Sequence, residues 1–476
     1  MRMNPRKEFM AEAVSQFIDI ENREVSVAAL HDPDLYELEL ERIFAKAWLM
    51  IGHETEIPNV GDYVVRLMGE DQAIVARAAD GQVHVSLNVC PHRAMHVCLA
   101  DSGNARVHKC IYHGWAFRPD GSFIGAPIEK EQMHGNIKSK EQLGLKKARV
   151  QLFGGLIFAT WNIDGPSLDD WLGEMKFYYE MLFDRTDKGL EVLGPPQRLT
   201  IDANWKTAGE QSACDGFHTI TLHGSVIDIG AMGGEADTEH ESAPAMYGIN
   251  LSGNGHSLRC IPADTSWALA HGKGDLTPEE RLEAFPPPGI TKELLPELKR
   301  KMSAEHLNVL AKAPPVVGGM FPNMNILFIY SPLRDGTLGS ALVLHSIMPM
   351  RDGTLGSALV LHSIMPKGPH QFEWTTYYFA EKGTPEDVKV MMCAAATHGT
   401  GTSGIIEQDD SDTWPHMSES ARGVIGRTET LKYQAILGEN RPADWPNKAK
   451  VYEGFGKDDA QWEWWLAYHR MMTNEG

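Results

Sequence analysis

Two short segments within Cys90–Trp115, CPHRAMHVCLADSGNARVHKCIYHGW, each combine one cysteine with one histidine. The first is CPH, with Cys90 and His92, and the second is CIYH, with Cys110 and His113. Thiolates and imidazoles at such short spacings are typical of structural zinc sites, so zinc is one interpretation. Zinc sites, however, usually take like ligands from each segment, whereas each segment here offers one of each kind. The split favours two loops that close over a two-iron, two-sulfide cluster whose irons differ in their ligands.

In such a cluster one iron takes both thiolates and the other takes both imidazoles. Replacing two anionic thiolates by neutral imidazoles reduces the negative charge of the reduced cluster and raises its reduction potential, as in Rieske centres. We therefore expect a Rieske [2Fe-2S] cluster rather than zinc. Cys98, His96 and His108 lie in the same window, but a buried thiol or a solvated imidazole is the more common state of such residues. We assign them no ligand role.

The composition is that of a globular protein. The chain has 476 residues, a net charge of −20 and 42% hydrophobic residues, so it lacks the basic surface that nucleic acids require. Its length allows two or more domains. No apolar run approaches the ~18 residues of a membrane span, and MRMNPRKEFMAEAVSQF predicts an amphipathic helix rather than a signal peptide. Six cysteines in so long a chain do not suggest a disulfide framework. We expect a cytoplasmic protein that binds neither nucleic acid nor membranes.

Turn signals and hydrophobic periodicity divide the chain into three regions. The first, 1–46, is expected to be a helical segment that packs with the last region. The second, 47–163, consists of short β-branched runs separated by turns such as ADGQ and PDGS, which predicts an all-β unit containing the cluster loops. After Asn162 the pattern changes to the helical SLDDWLGEMKFYYEMLFDR and then to mixed elements. The third region, 164–476, is therefore predicted to be an α+β domain.

The third region contains a tandem duplication over 334–367. RDGTLGSALVLHSIMPM, from Arg334, is followed at once by RDGTLGSALVLHSIMPK, from Arg351, and the copies agree in 16 of 17 positions. Repeat folds need several diverged copies, so a single near-identical pair indicates a recent duplication or an artefact. If both copies fold, RDGT can turn a hairpin of two SALVLHSIMP strands; otherwise one copy is looped out.

A second group of metal-ligand residues lies in NWKTAGEQSACDGFHTITLHGS, which contains Asp215, His218 and His223 as DxxHxxxxH. On a regular helix His223 lies ~140° from His218, so the two imidazoles share a metal only where the helix ends or is irregular. Two imidazoles and one carboxylate form the facial triad of non-haem iron oxygenases. The carboxylate is Asp215 or one from IIEQDDSDTW, which supplies Asp409 and Asp410 between apolar flanks.

With these motifs the chain resembles the large (α) subunits of Rieske non-haem iron aromatic-ring-hydroxylating dioxygenases, most of all those acting on biphenyl, naphthalene, phenylpropionate and polycyclic arenes. The resemblance extends over nearly the whole chain. It rests on HDPDLYELELERIFAKAWLMIGHETEIPNVGDYVV, CPHR, CIYHGW, LGEMKFYY, NWK, DGFH, FPN and EQDDSDTW. It implies an α+β fold in which an all-β Rieske domain, a β-sandwich with two cluster-binding loops, accompanies a catalytic domain. That catalytic domain has a large antiparallel sheet covered by helices, of the helix-grip type.

The resemblance also implies roles for individual residues. The implied cluster ligands are Cys90, His92, Cys110 and His113, and the implied Fe(II) ligands are His218, His223 and Asp410. Asp215 would bridge His218 to the cluster ligand His113 of a neighbouring subunit. NADH electrons would arrive through a reductase, a ferredoxin or both, and would pass through Asp215 to the iron. There O2 would add both its atoms to one face of an arene, giving a cis-dihydrodiol.

Five residues near the implied iron ligands are expected to line the substrate pocket. They are Gln211, Ser212, Gly216, Leu222 and Ile406. Ser212 and Gly216 stand where the family often has bulkier side chains, which favours a bulky or multi-ring substrate. The segments SACDGFH and TWPH depart from the family's usual sequences, and the duplication falls in the catalytic sheet where the family has one copy.

The expected assembly is a trimer of this chain, either α3 or α3β3 with a small β subunit. One alternative activity is a Rieske monooxygenase that hydroxylates salicylate-like rings or removes methyl groups. A Rieske electron carrier is a second alternative, but it would have no use for ~300 further residues with a second ligand set. A zinc-stabilised interaction protein is the third, and it would be colourless and redox-silent.

Overall fold

A computed structural model describes most of the chain. The described residues are 14–127, 139–224, 248–260, 276–284, 286–287, 289–327, 331–332, 338–339, 347–349, 355–357, 359–454 and 456–473. The chain separates after Arg42 and after Leu168 into two compact units, one formed by 43–168 and the other by the segments on either side. The helix expected over MRMNPRKEFMAEAVSQF lies largely outside the described residues; Val14–Gln16 forms one short 3-10 turn.

The unit 43–168 is built from short β-strands. They are Leu49–His53, Asp62–Met68, Asp71–Arg77, Val83–Leu87, Ser102–Asn104, His108–Lys109, Ala116–Phe117, Phe123–Gly125, Arg149–Phe153 and Leu156–Thr160. They pair into one four-stranded and two three-stranded antiparallel sheets. The predicted ADGQ and PDGS turns place glycines at positive φ, +78° at Gly81 and +83° at Gly121. Cys90 and Cys110 belong to the same buried apolar core as Trp115 and Phe117. The two cluster loops are therefore packed against this core.

The other unit centres on one large sheet. Its described strands are Leu190–Val192, Gln197–Ile201, Ile249–Gly253, His256–Cys260, Pro315–Met320, Met324–Leu327, Leu359–Gly368, Gln371–Glu381 and Lys450–Glu453. All nine are joined by antiparallel pairings. Three of them recur below: β1 (Met324–Leu327), β2 (Leu359–Gly368) and β3 (Gln371–Glu381). A separate small sheet joins Ile18–Asp19, Glu24–Ser26 and Thr430–Lys432.

Helices pack around this sheet. The described α-helices are Pro33–Glu39, Leu168–Leu172, Lys176–Phe183, Trp205–Gln211, Phe217–Thr221, Pro278–Ala284, Leu295–Lys301, Ala304–Lys312, Glu386–Thr400, Glu407–Arg422 and Asp459–Thr473. Three of them carry site residues: α1 (Trp205–Gln211), α2 (Phe217–Thr221) and α3 (Glu407–Arg422). None of the helices in the described part of the chain combines the length and the apolar character that a bilayer span requires.

A buried ion pair fixes the position of α1. Lys206 Nζ lies 2.5 Å from Glu39 Oε1, and both side chains are fully enclosed. Trp205 Nε1 and the Tyr468 hydroxyl donate to the same carboxylate, at 2.7 and 2.5 Å. Removing one member of such a pair leaves the other buried and unpaired, at a typical cost of about 3–5 kcal/mol. The network therefore ties α1 to the N-terminal segment and to the C-terminal helix Asp459–Thr473.

The second copy of the duplication supplies β2, because Leu359–Gly368 pairs with β1 on one side and with β3 on the other. The described parts of the first copy pair elsewhere. Leu338–Gly339 pairs with Ser331–Pro332, and Ile347–Pro349 pairs with Leu355–Ser357 across RDGT. The rest of the first copy lies outside the described residues. Among the described residues, the hairpin across RDGT is limited to Ile347–Pro349 and Leu355–Ser357, while the following strand of the second copy pairs with β1 and β3.

Deleting 334–350 should leave the large sheet intact. The variant keeps β2 and its partners and shortens the chain between Leu327 and Leu359 to roughly half, which lowers the entropic cost of loop closure by ~0.6 kcal/mol. We expect a thermal midpoint equal to or slightly above that of the parent, with unchanged iron content. Deleting 351–367 instead should give the same result, because the remaining copy differs at one position. An unfolded or iron-free deletion variant would show that the first copy is structurally required.

Candidate metal centres

The two cluster loops share one backbone arrangement. In the first loop the Cys90 N–H donates to Met95 O at 2.9 Å, and the Ala94 N–H donates to Cys90 O at 2.9 Å. In the second loop the Cys110 N–H donates to the carbonyl five residues later at 2.8 Å, and the Gly114 N–H donates back to Cys110 O at 3.0 Å. The residue four positions after each cysteine has positive φ, 58° at Ala94 and 71° at Gly114. Each CxH or CxxH pair is therefore held on the same tight turn.

The side chains of the two loops converge. Cys90 and Cys110 are each 2% exposed. Burial, together with the nearby Cys110 thiol, raises the pKa of Cys90 to about 11. The rings of His92 and His113 lie 4.5 Å apart, and His113 Nδ1 is buried without a hydrogen-bond partner. Two adjacent thiols and an unsatisfied imidazole nitrogen are the donors that a [2Fe-2S] cluster with mixed ligands needs.

The spacing of these donors favours a cluster over a single zinc ion. Zinc–ligand bonds of ~2.0–2.3 Å place the donors of one zinc ion within about 4 Å of each other. Among the described residues, the group of three donors that lie within 4.8 Å of one another is His218, His223 and Asp410, and the four loop donors do not form such a group. The loops thus suit a larger inorganic group. Outside the donor set, Cys98 Sγ lies 3.3 Å from His108 Nδ1, so these two side chains contact each other.

Gly114→Ala should weaken the second cluster loop more than backbone strain alone predicts. Its φ of +71° costs a side chain about 1–2 kcal/mol, and an added Cβ would lie 2.8 Å from Pro127 Cγ. Gly81→Ala is the matched control, because Gly81 has φ +78° and an added Cβ meets nothing within 4 Å. We expect acid-labile sulfide per chain to fall in the Gly114 variant alone. Equal losses in both variants would contradict the role of the Pro127 contact.

The second site is formed around α2, with one histidine inside the helix and one after its end. Asp215 Oδ1 accepts from the Phe217 N–H at 3.0 Å and starts the helix, which ends at Thr221 with Leu222 as its C-cap. His223 therefore lies beyond the last helical residue. Its ring centroid is 5.3 Å from that of His218. The end of the helix brings together two histidines that a continuous helix would separate.

The third donor comes from a distant helix. Asp410 lies in the first turn of α3, and its Oδ1 is 3.7 Å from His223 Nε2. One donor atom each from His218, His223 and Asp410 lies within 4.8 Å of the others. Two imidazoles and a carboxylate on one side of an ion leave other coordination positions open, as in non-haem iron oxygenases. The structure thus brings together the residues predicted to bind iron.

A carboxylate orients each of the two histidines. Asp215 Oδ2 lies 3.2 Å from His218 Nδ1, and Asp409 Oδ2 lies 3.0 Å from His223 Nδ1. Contacts of this kind leave Nε2 available for a metal and set the orientation of the ring. Asp409, considered above as a ligand, lies on the side of His223 away from Asp410. The sequence places Asp409 and Asp410 side by side and does not distinguish these roles.

The contact between Asp215 and His218 shifts both pKa values. Burial alone would lower the pKa of His218, but the hydrogen bond and charge of Asp215 outweigh it and raise that pKa. Burial alone would raise the pKa of Asp215, but the same contact, with a smaller contribution from Arg259, lowers it. The carboxylate is therefore ionised. Arg259 itself is held by Asn250 Oδ1 at 2.8 Å and by the carbonyl of Cys214.

Gln211 links the iron-type ligands to the cavity wall. Its Nε2 donates to Asp410 Oδ1 at 2.8 Å and lies 3.4 Å from His218 Nε2. Its Oε1 accepts from Trp414 Nε1 at 2.7 Å. Because both ends of the amide are held, Gln211 sets the separation between Asp410 and His218.

A cavity opens beside these ligands. Of the predicted pocket residues, Gln211, Ser212 and Ile406 line it. Gly216 and Leu222, the N-cap and C-cap of α2, do not; within α2 the lining residues are His218 and Thr219. Further lining residues were not predicted from the sequence, among them Arg259, Asn325, His362, Trp374 and Glu407. The first four lie on strands and belong to no local motif, whereas Glu407 begins EQDDSDTW.

Comparisons with known proteins agree with this geometry. The profile of the Rieske [2Fe-2S] domain matches residues 47–144. The α subunit of biphenyl 2,3-dioxygenase from Rhodococcus jostii (strain RHA1) is 30% identical over 98% of this chain and 93% of its own. The α subunit of N,N-dimethyl phenylurea N-demethylase from Sphingobium sp. (strain YBL2) is 31% identical over 84% of this chain and 80% of its own.

The fold is also that of a solved relative. Naphthalene 1,2-dioxygenase from Rhodococcus sp., bound to indole, superposes with a TM-score of 0.80 at 29% identity and with full coverage of both chains. The predicted α+β fold, with a Rieske domain and a catalytic domain built on a large antiparallel sheet, is thereby confirmed. By its identity to an α subunit over nearly the whole of both chains, the protein belongs to the Rieske non-haem iron aromatic-ring-hydroxylating dioxygenases, whose cofactors are a Rieske [2Fe-2S] cluster and a mononuclear iron.

Proposed function

We propose that this chain is the terminal oxygenase component that uses O2 and NADH-derived electrons to cis-dihydroxylate an aromatic ring in the catabolism of aromatic hydrocarbons. The observation that carries the proposal is the convergence of His218, His223 and Asp410 beside a cavity. When bound there, iron supplies the open coordination positions at which dioxygen is activated. The chain itself supplies ligand geometry, a substrate cavity and exclusion of water.

The residue roles form part of the proposal. The proposed cluster ligands are Cys90, His92, Cys110 and His113, and the proposed iron ligands are His218, His223 and Asp410. Their donor types and the convergence described above support this assignment. Domain limits of 47–163 for the Rieske domain and 164–476 for the catalytic domain remain our prediction, with 1–46 packing on the latter. The compact units divide a few residues away, after Arg42 and Leu168.

Asp215 is proposed to bridge His218 to His113 of a neighbouring subunit. Its side chain is 22% exposed although one oxygen holds His218, so it reaches the molecular surface. Phe217, two residues later, is 38% exposed, which is unusual for so large an apolar side chain. An ionised carboxylate and an apolar ring at one surface suit contact with a second copy of the chain.

The proposed substrate is an arene. Apolar and aromatic side chains form part of the cavity wall, among them Leu327, Ile406 and Trp414. Relatives are named for biphenyl, benzene and chlorobenzene. The small side chain of Ser212 in the cavity wall supports a substrate larger than a single ring.

As a member of this family the chain works with electron-transfer partners. We propose a reductase, with or without a ferredoxin, as the donor system and an α3 or α3β3 assembly. Matched relatives are named as α subunits, which supports a β subunit as companion. A cytoplasmic location agrees with the lack of a membrane-spanning helix in the described ranges.

Labelled dioxygen tests the proposed reaction. With a two-ring arene, a reductase system and 18O2, we expect a cis-dihydrodiol that carries two labelled atoms. A product with one labelled atom would instead support a monooxygenase. The 31% identity to a phenylurea N-demethylase makes that the alternative to exclude. Preferential turnover of benzene over two-ring arenes would contradict the size preference.

A further inference from the structure

One end of the cavity is polar. His362 of β2, Trp374 of β3 and Glu407 at the start of α3 all line it. All three residues are buried, with 2%, 4% and 4% exposure. A cavity for a plain hydrocarbon needs no such group, because each buried polar atom must be satisfied or it destabilises the protein.

Two of these polar atoms are unsatisfied. The indole of Trp374 interacts with the Glu407 carboxyl, but neither Trp374 Nε1 nor Glu407 Oε1 has a partner at full hydrogen-bond geometry. An unpaired buried donor or acceptor typically costs about 1–3 kcal/mol. Unsatisfied groups at the wall of a cavity are explained when a ligand pairs with them.

The surrounding side chains hold these atoms in place. The imidazole of His362 stacks on the indole of Trp374 at 4.3 Å, and its Nδ1 lies 3.0 Å from Thr376 Oγ1. Trp414 packs against the same indole at 5.0 Å. The Trp374 N–H is therefore preorganised and does not have to be ordered when a ligand binds.

Protonation makes Glu407 a donor. Burial raises the pKa of Glu407 well above its usual range. Burial lowers the pKa of His362 to about 3, so this imidazole is neutral. The polar end thus offers a carboxyl O–H and an indole N–H and carries no positive charge. Such a pair suits a neutral acceptor oxygen.

The polar end lies one helical turn from the proposed iron site. Glu407 precedes Asp410 by three positions on α3, a rise of about 4.5 Å.

We propose that Trp374 and Glu407, with His362 positioning the indole, bind a carbonyl oxygen of the substrate, so that the enzyme acts on arenes that carry a neutral ketone, amide or urea group. The inference rests on the proposed function and narrows its substrate class. His362 packs and positions the indole, while Trp374 and Glu407 donate to the oxygen.

Matched ligand pairs test the inference by binding alone. Benzophenone and 1,1-diphenylethylene have nearly the same shape and differ in C=O against C=CH2; acetophenone and α-methylstyrene form a one-ring pair. Calorimetric titration of the iron-loaded, anaerobic oxygenase should show at least about tenfold tighter binding of the ketone in one or both pairs. Equal affinities within every pair that binds would overturn the inference and leave arene dihydroxylation standing. If none of the four compounds bound, the proposal that the cavity binds arenes would itself be contradicted.

Substitutions test whether Trp374 and Glu407 cause the preference for the ketone. Trp374→Phe keeps the ring and removes the N–H, so the ketone preference should fall severalfold or disappear. Glu407→Gln keeps a donor and should retain part of the preference. Trp161→Phe is the control, because Trp161 Nε1 is also buried and unpaired but the residue does not line the cavity. An unchanged ketone preference in Trp374→Phe would refute the proposed contact.

Discussion

Asp215→Asn should lower turnover by about 100-fold or more while iron and sulfide contents stay at the level of the parent. Asparagine preserves the side-chain oxygen that accepts from the Phe217 N–H at the start of α2. The start of α2 should therefore survive. What disappears is the negative charge between His218 and the proposed neighbouring cluster ligand.

Asp409→Asn provides the matched control for this experiment. Asp409 contacts His223 Nδ1 much as Asp215 contacts His218 Nδ1, at 3.0 and 3.2 Å. If orientation of the histidine is all that matters, both variants lose similar activity. If Asp215 also bridges subunits, its variant alone should show slow oxidation of the reduced cluster by O2 and substrate, followed by stopped-flow absorbance. Equal cluster oxidation rates in the two variants would refute the bridge.

Asp410→Ala should abolish activity and remove the mononuclear iron without affecting the cluster. The parent is expected to contain about three irons and two sulfides per chain, and the variant about two of each. Without Asp410 only two imidazoles face the ion, and Gln211 loses the oxygen to which it donates. Metal and sulfide analysis, with electron paramagnetic resonance of the dithionite-reduced protein, measures both sites at once.

Asp409→Ala separates the neighbouring carboxylates. It removes an orienting contact rather than a ligand, so iron affinity should fall by about 10–100-fold and iron should be recovered on addition of excess Fe(II). If the Asp409→Ala variant lost iron irreversibly while the Asp410→Ala variant kept it, the two assignments would be reversed. Zinc without sulfide in the parent would contradict the cluster itself.

The sequence predicted those parts of the sites that depend on local spacing. Cys90 and His92, like Cys110 and His113, are close in the chain, so the ligand types alone indicate the cluster. The requirement for a helix end near His223 also followed from helical geometry, and α2 does end before it. Ligand type and helix periodicity are properties of short segments, so they can be inferred from the sequence.

The site features that the sequence did not predict depend on contacts between segments far apart in the chain. His362 and Trp374 reach the cavity because β2 and β3 pair within the large sheet, and Ile364 lies opposite Trp374 in that pairing. Neither residue belongs to a recognisable motif. The different roles of Asp409 and Asp410 depend on which face of α3 meets His223, a matter of tertiary packing that adjacent identical residues cannot reveal.

The pairing of the second copy with β1 and β3 has an evolutionary consequence. Two nearly identical segments are encoded in tandem, yet the second supplies the strand that carries His362. Purifying selection should therefore act on the codons of 351–367 and leave those of 334–350 free to drift or to be lost by recombination between the repeats. In descendants of this gene, substitutions should accumulate in the first copy, and precise in-frame loss of one copy should be tolerated.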